Sequence, residues 1–129
     1  MFLVDSTLYI DLLRARQDPV EALRPWLIQE EILCCGVIRC EVLRGIVNEK
    51  VRERMHELFD TLSSVDIDNS MWDETARLAW TLDRRGVVLP LTDLIIAGCA
   101  LRAGATVISS DEHFKEIPDL ATATALPAP

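Results

Sequence analysis

The chain lacks a basic excess. With 13 lysines and arginines against 21 aspartates and glutamates, its formal net charge is -8. The surface as a whole therefore supplies no nonspecific attraction for nucleic acid, and any such partner has to be held locally or through metal. Lysine is scarce: only Lys50 and Lys115 occur, neither in an obvious position to manage phosphate charge. No apolar run approaches the ~18 residues of a membrane span, and no basic-then-apolar leader opens the sequence. A soluble, cytoplasmic protein with no membrane partner is expected. The four cysteines, Cys34, Cys35, Cys40 and Cys99, form no CxxC pair with a second half. They read as buried free thiols suited to a reducing compartment. No internal repeat or low-complexity linker is visible. Half of the 129 residues are apolar and 26% are charged, which is globular composition, so residues 1–129 read as one domain.

What the chain does have is centred on Val88 to Phe114, VLPLTDLIIAGCALRAGATVISSDEHF. Pro90 and Thr92 precede an apolar run and Gly104 follows it, which predicts a helix over Asp93 to Ala103 with Thr92 as its cap. Asp93 then lies in the first turn, where a carboxylate suits the helix dipole. Ala105 to Ile108 reads as a short buried strand that ends at Ser109, Ser110 and Asp111. A helix returning to a buried strand is half of an α/β unit, and ligands of such sheets bind beyond the carboxyl ends of the strands.

The same alternation runs through the rest. Phe2 to Val4 suits a buried strand, and Asp5 follows it at the start of a helix that Ser6 or Thr7 would cap. Asp18 and Pro19 open a second helix that runs to about Gln29 with Val20, Leu23, Trp26 and Leu27 inward. Leu33 to Val37 reads as the second strand, and Glu41 follows it within the helical segment IRCEVLRGI. Lys50 to Leu62 repeats the helical period with Arg52, Glu53, Arg54 and Glu57 on a solvated face. Val65 to Ile67 reads as a strand, and Asn69 or Ser70 caps a helix to about Arg85 with Trp72, Ala76, Ala79, Trp80 and Asp83 near one stripe, Leu78 and Leu82 widening its apolar face, and the tryptophans expected in the core. Glu112 to Ile117 is a short helix stopped by Pro118, and Ala121 to Leu126 an edge strand. The expected fold class is α/β, with a mainly parallel sheet of four to five strands flanked by helices.

Alone, each acid reads as a cap or a solvated residue. Together, Asp5 and Asp111 end strands, while Glu41 and Asp93 lie in the first turns of helices that follow strands or extended segments, so all four can converge on one sheet edge. Carboxylates that close repel one another unless a cation binds among them. Oxygen donors without histidine or thiolate favour Mg²⁺ or Mn²⁺ over zinc, and the matching chemistry is attack of a metal-activated water on a phosphodiester. His113 reads as a surface or loop residue beside a buried Phe114, and His56 has no visible role. Two other classes compete: an interaction module without catalysis, and a phosphotransfer enzyme with Asp5 as nucleophile. The second would want a placed lysine, which the chain lacks.

VDST at Val4 to Thr7, CEVLRG at Cys40 to Gly45, LPLTDLIIAGCA at Leu89 to Ala100 and SSDEHF at Ser109 to Phe114 resemble the four acidic motifs of PIN domains. More narrowly, the chain resembles the VapC toxins of VapBC toxin-antitoxin pairs, in order and spacing over essentially its full length. The resemblance implies that Asp5, Glu41, Asp93 and Asp111 bind Mg²⁺ or Mn²⁺, with Thr7 and Ser109 supporting them by hydrogen bonds. It implies a metal-dependent endoribonuclease acting on structured RNA such as tRNA or rRNA. It also implies a homodimer, neutralisation by a VapB-type antitoxin and a larger toxin-antitoxin assembly. Two residues depart from the pattern: Ser109 stands where threonine is usual, and Ile38 where a hydroxyl often precedes the glutamate. Among the basic residues, Arg39 and Arg44 are the RNA-contact candidates nearest the motifs, with Lys50, Arg52 and Arg54 behind them.

Overall fold

A computed structural model, which describes residues 1–29 and 31–129, places five short strands in one sheet. They are β1 (Phe2–Val4), β2 (Ile32–Cys34), β3 (Ser63–Ser64), β4 (Thr106–Ile108) and β5 (Thr122–Ala123), in the order β3-β2-β1-β4-β5. Every pairing is parallel. Parallel sheets need helical crossovers that cover both faces, which is why the central strands read as unbroken apolar runs rather than alternating ones. Leu3, Val4, Val107 and Ile108 have no exposed surface. The chain steps outward from β1 through β2 to β3, then returns to the far side of β1 as β4. The order therefore reverses between β1 and β4, where a crevice opens beyond their carboxyl ends.

The crossovers are α1 (Ser6–Arg14), α2 (Pro19–Ile28), α3 (Gly36–Arg44), α4 (Glu49–Thr61), α5 (Asn69–Arg84) and α6 (Leu91–Ala103), followed by a 3₁₀ helix at Glu112–Glu116. As expected, Asp18 caps α2, accepting from the Val20 N–H at 3.0 Å with Pro19 in the first helical position. Gly104 ends α6 in the left-handed conformation at φ 65°. Apolar nearly all round, α6 buries Leu94, Ile95, Ile96, Ala97, Cys99 and Ala100, as a helix of that composition must.

Several boundaries differ from the sequence reading. Thr92 does not cap α6: Pro90 holds the cap position and the helix begins at Leu91, so Thr92 and Asp93 both fall inside the first turn. Asp68, rather than Asn69 or Ser70, caps α5 and accepts from Met71 N–H at 2.9 Å. The second strand stops at Cys34, because Gly36 and Val37 already belong to α3. The third lies at Ser63–Ser64 rather than Val65 to Ile67; only the Val65 N–H, donating to the Cys34 carbonyl at 2.8 Å, carries that ladder further. Cys34, Cys35 and Cys99 are buried free thiols, but Cys40 is exposed.

The tryptophans are the largest correction. Trp72 and Trp80 are 48% and 61% exposed; Met71 and Thr75 are buried in their place, beside Leu82, which is buried as expected. The contact of α5 with α6 is too close for an indole: a Cβ on Gly98 would stand 2.9 Å from the Met71 Sδ. Trp80 instead lies under the Arg84 guanidinium, 5.0 Å from its ring centre. Among the described residues, no helix is long and apolar enough to cross a membrane.

Candidate active site

The reversal point between β1 and β4 determines where the acids meet. Asp5 follows β1 directly, its N–H donating to the Ile108 carbonyl of β4 at 2.9 Å. It holds the cap position of α1 yet makes no side-chain cap bond. Its carboxylate turns instead to two hydroxyls: Oδ2 accepts from Ser109 Oγ at 2.8 Å and from Thr7 Oγ1 at 3.0 Å. Those hydroxyls lie 3.2 Å apart. Ser109 Oγ also accepts from the Asp111 N–H at 2.9 Å. One serine thus joins the first acid to the backbone of the last.

Asp93, in the first turn of α6, and Asp111, the cap of the 3₁₀ helix, face a single imidazole. His113 Nδ1 lies 3.0 Å from Asp93 Oδ2 and 3.1 Å from Asp111 Oδ1. The backbone N–H of His113 donates to that same Asp111 oxygen at 2.9 Å. Glu41 reaches the group from the middle of α3, where Oε1 accepts from Ser6 Oγ at 3.3 Å.

The titration behaviour shows how the charges interact. Burial raises the pKa of Glu41, and the charges of Asp5 and Asp93 raise it further, against the Ser6 hydrogen bond and the charge of Arg44. Burial also raises Asp93; the His113 hydrogen bond opposes this, and the charges of Asp111 and Asp5 add to it. The imidazole is pushed up in turn, first by its bond to Asp93 and then by the Asp111 charge. Each of these carboxylates therefore feels others of the set. Among the described residues, no lysine or arginine forms an ion pair with Asp5, Glu41, Asp93 or Asp111. A dense set of oxygen donors with its charge so little compensated fits a hard divalent cation.

Residues 2–120 match the PIN domain family. The chain belongs to that family. Over 124 residues it is 28% identical to Ribonuclease VapC11 of Mycobacterium tuberculosis, covering 91% of each chain. It is equally similar to VapC ribonuclease Mb1587 of Mycobacterium bovis. A crystal structure of VapBC2 from Rickettsia felis, bound to a DNA fragment from their promoter, has the same fold at a TM-score of 0.77. That match covers 95% of this chain and 96% of the other at 18% identity.

In this PIN domain, Asp5, Thr7, Ser109 and Asp111 lie in one hydrogen-bonded chain, and Asp93 and Glu41 are within its electrostatic reach. The hydroxyl that Ile38 fails to offer Glu41 comes from Ser6, on a different helix, while Ile38 is fully buried in the core. Arg39 is engaged with Asp60 at 2.6 Å and Arg54 with Asp18 at 2.6 Å. Arg44 is exposed and close enough to influence Glu41. Sequence reasoning missed His113, which is no bystander to the acids. Its signal was the spacing: two residues after a capping aspartate, a side chain turns back toward the cap.

Proposed function

We propose that this PIN domain is a metal-dependent endoribonuclease toxin of the VapC kind, cleaving a phosphodiester of structured RNA such as tRNA or rRNA by attack of water. The observation that carries the reading is that Asp93 and Asp111 offer oxygens within 4.8 Å of one another at the reversal point of the sheet, with Asp5 joined to the Asp111 N–H through Ser109 and Glu41 close enough to feel the charges of Asp5 and Asp93. Asp5, Glu41, Asp93 and Asp111 would hold Mg²⁺ or Mn²⁺, directly or through water. Held by those oxygens, the ion supplies activation of water and offsets charge on the scissile phosphate. Thr7 and Ser109 fix the Asp5 carboxylate, leaving Oδ1 free to bind. Arg44 is the arginine best placed to meet RNA, whereas Arg39 would first have to release Asp60.

The relatives named above are VapC ribonucleases, and the matched crystal structure is of a VapBC complex. We extend to this chain a cytoplasmic setting, a homodimer and neutralisation by a VapB-type antitoxin within a larger assembly. A groove of about 690 Å³ beside α1 and α4, lined by Ile10, Leu13, Ile46, Val47 and Val51 among others, supports a protein partner, since exposed apolar patches mark interaction surfaces. Val47 within it is 96% exposed.

The test is cleavage of total RNA by antitoxin-free protein, with Mn²⁺ or Mg²⁺ against chelator, beside an Asp93→Asn control. Discrete, metal-dependent fragments that the control lacks are expected. Folded protein that neither cleaves nor gains thermal stability from Mn²⁺ would instead be an interaction module.

A further inference from the structure

We infer that His113 is itself a metal ligand of this site, a nitrogen donor that biases the site toward Mn²⁺ over Mg²⁺. The inference rests on the reading of the acidic cluster as a metal site.

Three observations place the imidazole there. First, Asp93, Asp111 and His113 each offer one ligand atom, and these atoms all lie within 4.8 Å of one another. Second, Nδ1 stands 3.0 Å from Asp93 Oδ2 and 3.1 Å from Asp111 Oδ1. Adjacent donors around an octahedral ion with bonds of about 2.1 Å are separated by about 3.0 Å. The spacing already present is that of neighbouring ligands, and small movements suffice to admit an ion between them. Third, the ring is held from behind. The His113 N–H is bonded to Asp111 Oδ1 at 2.9 Å, and the next residue, Phe114, is buried to 1% exposure. Hydrogen bond and anchor together hold the His113 backbone beside the carboxylates, and its two Nδ1 contacts orient the half-exposed ring toward them.

Charge points the same way. No lysine or arginine among the described residues pairs with these acids, so His113 is the one basic side chain that contacts them. A nitrogen ligand has to be deprotonated, so an ion bound at Nδ1 would send any proton held there to solvent. An imidazole nitrogen is a softer donor than carboxylate or water, so it adds more affinity for Mn²⁺ and later transition ions than for Mg²⁺. His113 thereby separates two ions that an all-oxygen site treats more alike.

The test uses the full chain loaded with Mn²⁺ and reads electron spin echo modulation from ligand nitrogen, with calorimetric titration of Mn²⁺ and Mg²⁺ alongside. Wild-type protein is expected to show nitrogen modulation that both His113→Ala and His113→Gln lose. In those variants Mn²⁺ affinity should fall by about tenfold or more, and Mg²⁺ affinity by less. Bound Mn²⁺ without nitrogen modulation in the wild type overturns His113 as a ligand and leaves the carboxylate site standing. Modulation that survives both substitutions also overturns it, because the nitrogen then belongs to another group. Failure of Mn²⁺ to bind at all overturns the inference together with the metal site it rests on.

Discussion

Ser109 and Asp5, 104 positions apart in the chain, share a buried hydrogen bond of 2.8 Å. It ties the ends of β4 and β1 together, and because Ser109 also accepts from the Asp111 N–H, it sets the first and last acids in one frame.

Removing that hydroxyl should loosen the frame. Ser109→Ala leaves the nearly buried Asp5 carboxylate one donor short, so a loss of about 1–3 kcal/mol is expected in urea unfolding. Ser109→Thr keeps the hydroxyl and should retain most of that stability. If the alanine and threonine variants unfold together, Asp5 does not depend on this bond.

Asp93 touches His113 and feels Asp5 and Asp111, so its charge is central to the cluster. Asp93→Asn should lower metal-dependent RNA cleavage by at least ~100-fold. It should also abolish the rise in melting temperature that Mn²⁺ gives the wild type, a rise worth about 2.7 kcal/mol when the ion is at 100 times its dissociation constant. Gel analysis and a melt with and without Mn²⁺ read the two effects separately.

The pH dependence of the metal-free protein follows from the same crowding. Glu41 and Asp93 have raised pKa values in the fold, so just above the ordinary carboxylate range the native state holds more protons than the unfolded chain. Stability then falls as pH rises through that window. His113, raised above its ordinary 6.5, adds stability that is full below that value and lost as pH climbs through the folded one. The urea midpoint of metal-free protein should therefore drop as pH rises from just above the ordinary carboxylate range to beyond the ordinary 6.5 of histidine. In Glu41→Gln the midpoint at pH 7 should be higher and the drop shallower; a midpoint lowered by the substitution would contradict the raised pKa.

The two faces of α5 give a stability contrast. Trp80 is mostly exposed and Leu82 is 2% exposed. Leu82→Ala should cost about 2–5 kcal/mol, and Trp80→Ala no more than ~1 kcal/mol, chiefly from its stacking with Arg84. Chemical denaturation of the two variants reads the difference directly.

How far the sequence carried this picture depended on the kind of signal. Strands β1 and β4 were legible as apolar runs because both faces of a parallel strand are buried, and Gly104 and Asp18 marked helix ends by their own backbone chemistry. Asp5 and Asp111 were legible as positions at a handover from strand to helix and Asp93 as a first-turn residue, whereas Glu41, expected in a first turn, lies in the middle of α3. The face of α5 was not, because two tryptophans outweigh a methionine and a threonine in any apolar count, and only the close approach of Gly98 to Met71 excludes them. The Ser6 bond to Glu41 and the His113 contact with Asp93 were equally hidden. They join residues 35 and 20 positions apart, distances at which local pattern says nothing.

The position of β1 has one more consequence. β1 is the central strand, and its pairing with β4 closes a loop of about a hundred residues, the slowest kind of contact to form. Asp5 waits for Ser109, and Asp93 for His113, until the chain has left the ribosome as far as His113. Nascent chains ending before Ile108 should therefore bind no Mn²⁺, so the proposed site is incomplete until β4 has emerged.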